Sequence, residues 1–478
     1  MAAMFPTIKI AVLAGGGIRL GIRVQKLKCR LAAFCLLLAG LLPLGAVAQV
    51  TGPLLPYAAP PSAPQVLPAP GEQPAYAGQT VIDRARPEFD PVGLRLGDFF
   101  WFPRGELDES YNSNIFATAT KPTYDFITAL TPSFDLLSNF PRNSLNLRAA
   151  SLFQVYADHP AQNTQDGLVT ADGTLDVTAG SYLYGTAQAA HQHISYGSPN
   201  SPGNIAQPVT YWDYIARAGY AQGGRRFSYQ VDVGVEAAQY NAAQLVGGGV
   251  SPQSSQDTTI SDAAIRGSYE IVPDYLGFVR VGGSLYNYWH TVPGTPPNSG
   301  GMRPNSKVYR IDGGLQILPR HIFYGEAYVG YLVQNFDLSS LGSTSAADYG
   351  GRLVWNLTPL TTLTFTGLRA FQTGTPSTGT MAIPGSAGNG YLSSIVTATA
   401  DHELLRNLLV NVNAYFENDS FQGISRTDNV FNVGAGLKYL VSRNLFLGGS
   451  YNYYQRSSSL AGASYTQNIL MLRLGTQF

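Results

Sequence analysis

The chain has 478 residues, of which only 13% are charged, with 30 basic and 30 acidic side chains. Soluble domains carry roughly 25% charged residues, and a balanced charge offers no electrostatic footprint for nucleic acid. A mean hydropathy of −0.02 is too low for a bundle of membrane helices. The 29 Tyr, 22 Phe and 52 Gly exclude an ordinary disordered chain and suit strands in which polar and apolar residues alternate.

The first stretches are not read as fold. Residues 8–21, IKIAVLAGGGIRLG, imitate a strand and a glycine-rich phosphate loop, but no α/β unit follows them. Residues 19–48 have the three parts of a secretory signal. Arg19, Arg23, Lys26, Lys28 and Arg30 form the basic part, 31–44 the apolar part, and Ala46-Val47-Ala48 the small-residue site, with cleavage expected after Ala48. The apolar run, broken by Gly40 and Pro43, is too short for a spanning helix. Cys29 and Cys35 both fall inside the signal, so the mature chain is expected to have neither a disulfide nor a Cys-bound metal. The signal region carries six basic and no acidic residues. Its removal takes 30 basic residues to 24 against 30 acidic, a net charge of about −6.

Residues 49–91 contain Pro53, Pro56, Pro60, Pro61, Pro64, Pro68, Pro70 and Pro74 among Ala, Gln and Ser. Proline lacks the ladder donor, and such a segment is expected to be an extended, disordered tether in the periplasm.

Beyond residue 91 the hydrophobic period is two. Phe227, Tyr229, Val231, Val233 and Val235 alternate with Ser228, Gln230, Asp232, Gly234 and Glu236. Val410, Val412, Ala414 and Phe416 alternate with Asn411, Asn413, Tyr415 and Glu417. Only 401–409, DHELLRNLL, has helical spacing, and it is too short to stand alone. Eight short connections fall near 139–143, Gly180, 223–224, 273–274, 319–320, Pro359, 406–407 and 442–444. Long ones rich in Gly, Pro, Ser and Asn fall between them, among them 197–208, 241–256, 291–305, 373–390 and 456–464. The expected fold is all-β: a transmembrane, antiparallel, up-and-down β-barrel of about 18 strands over 92–478, with tight periplasmic turns and large outer loops.

Residues 468–478, NILMLRLGTQF, close the chain with Leu470, Leu472 and Leu474 on one face and Met471, Arg473 and Gly475 on the other. A barrel must join its last strand to its first to remove the open edge, so this strand is expected to pair with the segment near 99–112. Pro103 should weaken that seam locally. Phe478 would mark the periplasmic rim and serve as a handle for the barrel-assembly machinery. Aromatics at strand ends suggest two girdles: Phe140, Phe227, Tyr275, Phe323 and Phe446 at the short turns, and Tyr240, Trp289, Tyr331, Phe336, Phe416 and Tyr453 at the long loops.

If the apolar face meets lipid, the polar face lines the lumen. The lumen-lining set is then Arg148, Arg217, Asp232, Glu236, Arg266, Arg280, Arg310, Asp312, Glu326, Arg352, Glu417, Lys438 and Arg473. Barrels of 16 to 18 strands enclose an aqueous channel, and lumen charges set solute preference. No catalytic constellation or cofactor motif is read. His191 and His193 share a strand face but lack a third ligand for a metal ion.

Residues 92–151 contain Gly93-Leu94-Arg95-Leu96-Gly97, the acidic stretch 106–111, Asn114-Ile115-Phe116-Ala117-Thr118, Asp125-Phe126-Ile127 and Leu145-Asn146-Leu147-Arg148. This segment resembles the opening of the putative beta-barrel porin 2 family of Gram-negative outer membranes. The resemblance implies an outer-membrane barrel without catalytic residues, and for some members an association with surface polysaccharide. Thr476 departs from the usual barrel ending, where an aromatic stands two residues before the terminal Phe.

The expected function is a passive or weakly selective channel for small polar solutes. The alternatives are a barrel for exopolysaccharide export, and a non-conducting barrel that presents loops for adhesion and is plugged by 373–390. The expected partners are outer-membrane lipid and lipopolysaccharide, the assembly machinery, the solute or polysaccharide, and further copies of the chain in a homo-oligomer.

Overall fold

The computed structural model describes residues 78–291, 303–372, 390–422 and 424–478. The expected signal, the glycine-rich stretch, the tether up to residue 77 and most of the 291–305 and 373–390 loops lie outside these residues.

Period-two alternation becomes strands of 12 to 16 residues. The first six are β1 (Phe99–Asn112), β2 (Asp125–Ser138), β3 (Ser144–Tyr156), β4 (Thr164–Thr178), β5 (Ser181–His193) and β6 (Thr210–Gly223). Next come β7 (Phe227–Tyr240), β8 (Thr258–Val272), β9 (Tyr275–Tyr288), β10 (Ser306–Ile317), β11 (Phe323–Phe336) and β12 (Ser343–Thr358). The last six are β13 (Thr361–Gln372), β14 (Tyr391–Leu405), β15 (Leu408–Phe421), β16 (Thr427–Leu440), β17 (Leu445–Ser458) and β18 (Tyr465–Gln477). Each pairs antiparallel with its chain neighbours, and β18 returns to β1, so 18 staves close one sheet. All eight expected short turns join staves at one end. The helix-like 401–409 is strand, turn and strand, with residues 406–407 as the turn between β14 and β15. Pairing on both sides overrides its local helical spacing.

The closing ladder runs from Arg104↔Gln477 to Asn112↔Ile469. Beyond it the Phe478 N–H donates to the Pro103 carbonyl at 3.1 Å. Pro103 therefore stands where the ladder ends, and its missing donor falls outside the paired stretch. Below that point the short strand Leu94–Leu96 pairs with Phe99–Trp101 and covers the edge that β18 leaves.

One side of each stave carries large apolar groups that no described residue covers, such as Leu107, Val233, Ile265, Val279, Ile311, Val329, Val412 and Leu472. A continuous exposed apolar band is what a bilayer covers. Phe140, Phe227, Tyr275 and Phe323 at the turn end, and Trp289, Tyr331 and Phe416 at the loop end, are exposed on that band. Phe446 is 1% exposed and belongs to the opposite face. Tyr240 turns the same way, stacked at 5.0 Å on Tyr211. The girdle expectation fails for these two and for Phe336, which shares the face of Leu332 and Gln334, because each sits one residue out of phase with its outward neighbours.

Candidate functional site: the charged inner wall and its two mouths

All thirteen charged residues expected on the polar face lie on the side away from the apolar band. Several form contacts that skip staves. Arg266 on β8 donates to Glu326 on β11 at 2.8 Å and to Gln316 on β10 at 2.9 Å, with its guanidinium 3.7 Å from the centre of the Phe278 ring. Arg310 on β10 reaches Asp348 on β12 at 2.6 Å. Tyr184 on β5 donates to Asp232 on β7. Arg217 on β6 lies 3.7 Å from Asp262 on β8 and 3.9 Å from Glu236. Side chains meet across an intervening strand only on the concave side of a curved sheet, so these residues form the inner wall.

The charges of the wall are held by ion pairs, neutral hydrogen-bond donors and aromatic rings. Arg280 binds Asp312 at 3.1 Å, with both side chains nearly inaccessible. Glu417 accepts from Ser393 at 2.9 Å and from Tyr415 at 2.6 Å. Lys438 and Arg104 stand over the inward Phe446 ring at 4.3 and 4.8 Å. That ring fits because Gly475 has no side chain: a Cβ there would lie 2.0 Å from the ring.

Arg473 Nε and Nη2 each donate to Asp108 at 2.7 Å, and Nη1 lies 2.8 Å from Glu106, which Arg104 also binds. This cluster bridges the closing seam. Arg148 pairs with Asp135 at 3.3 Å, yet their side chains stay 56% and 30% exposed. Arg352 is exposed too, with no ion pair among the described residues.

Two features narrow the interior at the long-loop end. In the 194–209 connection, the Gly197 carbonyl accepts from Arg456 on β17 at 2.7 Å, and Arg456 also binds Asp428. In the 113–124 connection, Asn114 donates to the Thr466 carbonyl at 3.0 Å, and Ala117 packs on Ile395, Tyr415, Val430, Tyr454 and Tyr465. The two loops touch through Phe116 and Tyr196, with rings 5.3 Å apart. At the same mouth Asp257 accepts from the Tyr240 N–H at 2.7 Å, and burial holds its carboxyl above the usual carboxylate range.

The turn end has its own constriction. Residues 78–91 do not behave as a free tether; they run as a strap along inward groups from β11 to β18. Tyr324 donates to the Gly78 carbonyl at 3.1 Å, and the Val81 N–H donates to Thr362 at 2.9 Å. Arg84 and Arg86 converge on Glu403 at 3.3 and 2.8 Å, and Gln477 donates to the Phe89 carbonyl at 3.2 Å. Val81 and Arg86 are each 2% exposed. Proline content cannot anticipate this, because the partners are more than 200 residues away. Of the residues the sequence reading left out, Glu106 and Asp108 were legible: Arg104, Glu106, Asp108 and Asn112 alternate with Gly105, Leu107 and Tyr111. Asp348 was not, because the SAADYGG around it hardly alternates.

Among the described residues no group of three His, Cys, Asp or Glu could hold a metal ion. His193 lies 2.8 Å from Asp166, and His191 packs against Trp212 with rings 5.0 Å apart.

Solved structures with a similar course are outer-membrane barrels. The vanillate complex of OpdK from Pseudomonas aeruginosa is 12% identical with a TM-score of 0.38, covering 79% of this chain and 99% of that one. OccK2 (OpdF) from the same organism, in complex with glucuronate, is 10% identical with a TM-score of 0.37, covering 80% and 99%. The unliganded ferric citrate transporter FecA is 12% identical with a TM-score of 0.38, covering 79% and 61%. No curated protein matches the sequence. The model of the family described as "Putative beta-barrel porin 2" matches residues 86–478, starting within the strap and six residues before the expected boundary. The chain therefore belongs to that family of outer-membrane barrels.

Proposed function

We propose that this protein is an outer-membrane channel for passive, weakly selective passage of small polar solutes. The observation that carries this reading is the exposure of inward charged groups. Arg148 and Asp135 keep 56% and 30% of their side-chain surface accessible although they point into the barrel. Inward groups of an 18-stave barrel retain such accessibility only beside an open, watered interior. Paired charges along the rest of the wall leave a hydrophilic surface with little net field, which favours many solutes weakly rather than one tightly. The loops at one mouth and the strap at the other set the size limit.

Polysaccharide export is less favoured. A sugar track needs accessible aromatic faces, whereas Tyr391, Tyr415, Tyr454 and Tyr465 on the inner wall are all buried. The periplasmic tether, the signal cleaved after Ala48 and the assembly role of Phe478 belong to the same reading.

Planar-bilayer recording of refolded protein tests it. The expected result is ohmic steps that scale with bulk salt. A heat-modifiable, folded barrel that passes no current at any voltage overturns the channel and favours a loop-presenting barrel.

A further inference from the structure

The ladder between β12 and β13 is incomplete. It pairs from Thr358↔Thr361 up to Gly351↔Gly367 and stops. In the same register residues 346–350 would face 368–372, but none of these positions pairs across the gap. Each lip is fully laddered on its other side, β12 to β11 as far as Asn335↔Ser343 and β13 to β14 as far as Gln372↔Tyr391. The break is therefore a slit in the wall, on the long-loop side of the apolar band. Gly351 marks its lower end with φ +150°, where an added Cβ would lie 2.2 Å from the Glu326 carbonyl oxygen.

Unpaired backbone within a bilayer is costly, and side chains from one face of β13 fill the slit. The Arg369 guanidinium stands 5.2 Å from the centre of the Tyr349 ring on the opposite lip. Phe371, two residues on and so on the same face of β13 as Arg369, is 5% exposed and packs with Leu392 and with Leu332 on the inner side of β11. Arg310 bridges the lips: its Nε lies 2.6 Å from Asp348 on β12, and its Nη2 donates to the Arg369 carbonyl on β13 at 3.4 Å. The Arg369 Nε is buried without a hydrogen-bond partner among the described residues. Behind the seal lies a cavity of about 40 Å³ with Arg280, Arg310, Val308, Leu332 and Phe371 in its wall. That holds only about three water molecules.

We propose that this slit is a lateral portal through which small amphiphiles with an anionic head move between the barrel interior and the bilayer. The apolar body slides between the lips past Phe371. The head exchanges for the contacts of Arg310 and takes the open donor of Arg369. The portal assumes the watered interior proposed above, so conductance is recorded as a separate arm.

The test uses the full chain with Tyr349→Cys and Arg369→Cys, in intact cells exposed to anilinonaphthalene sulfonate, an aromatic anion that fluoresces on entering lipid. Treatment with a short bis-maleimide should abolish the protein-dependent fluorescence rise. A mono-functional maleimide should leave it, and planar-bilayer conductance should be equal in both samples. Equal fluorescence after the two treatments overturns the portal, as does a parallel loss of conductance, which would mean that the cross-link narrows the lumen. Arg310→Gln serves as the second variant and carries the test should the cysteine pair fail to give a heat-modifiable barrel. It should raise dye entry with conductance retained, and unchanged or lower entry overturns the proposal. Absence of all current would remove the channel reading while leaving the dye comparison to be judged by itself.

Discussion

Arg473 looks misplaced in a hydrophobic closing strand until its partners are seen. It sits on the inner wall and holds Asp108 and Glu106 of β1, whose side chains are 8% and 2% exposed. Removing the cation strands two buried carboxylates, and breaking a buried pair in this way costs on the order of 3 kcal/mol. Arg473→Ala is therefore predicted to lower the urea midpoint of the refolded barrel, followed by tryptophan fluorescence, with Arg473→Lys recovering part of the loss because it keeps charge without the two-point geometry. An unchanged midpoint would show that the seam does not depend on this cluster. Gly475→Leu is predicted to be worse, since the Phe446 ring already occupies the space a side chain would need. Heat-modifiability on a gel reads that defect directly. At this scale alternation puts each of these charges on the polar face of its stave. The pairings were not legible, because a contact such as Arg266 to Glu326 depends on wall curvature that no local pattern encodes.

Among the elements, the staves were readable because each is long, half-exposed to lipid and half-polar, so the period repeats many times. Segment 401–409 has helical spacing because its two strands meet across a two-residue turn, which brings Leu404, Leu405 and Leu408 into that phase, yet the turn at 406–407 was legible. The strap was hidden for a different reason: its anchors come from staves far along the chain. Glu403 receives Arg84, Arg86 and, at 3.5 Å, Arg406. Glu403→Gln removes the charge that all three share, and we predict larger and noisier single-channel steps as the strap leaves the turn-end mouth. Deleting residues 78–85, which lie ahead of the family match, should raise the mean conductance without the added noise. Identical steps in both variants and the native chain would show that the strap does not limit flow.

For the whole molecule, the property that bears on flow is a charged wall in which most cations are paired. Arg217, Arg266, Arg280, Arg310 and Arg473 all have carboxylate partners within 4 Å. Arg352 does not, and it is exposed to the interior. An unpaired interior charge biases ion passage only over the Debye length, about 10 Å at 0.1 M salt and about 3 Å at 1 M. Arg352→Glu is predicted to shift the reversal potential towards cation preference in a gradient around 0.1 M, and to leave it unchanged near 1 M. Arg280→Gln serves as the contrast. It frees the Asp312 carboxylate, but that group is buried, so the variant should lose stability more than it changes selectivity. A shift for Arg352→Glu that persists at 1 M salt would mean that the residue lies in a narrow, water-poor filter, and the weakly selective reading would have to be abandoned.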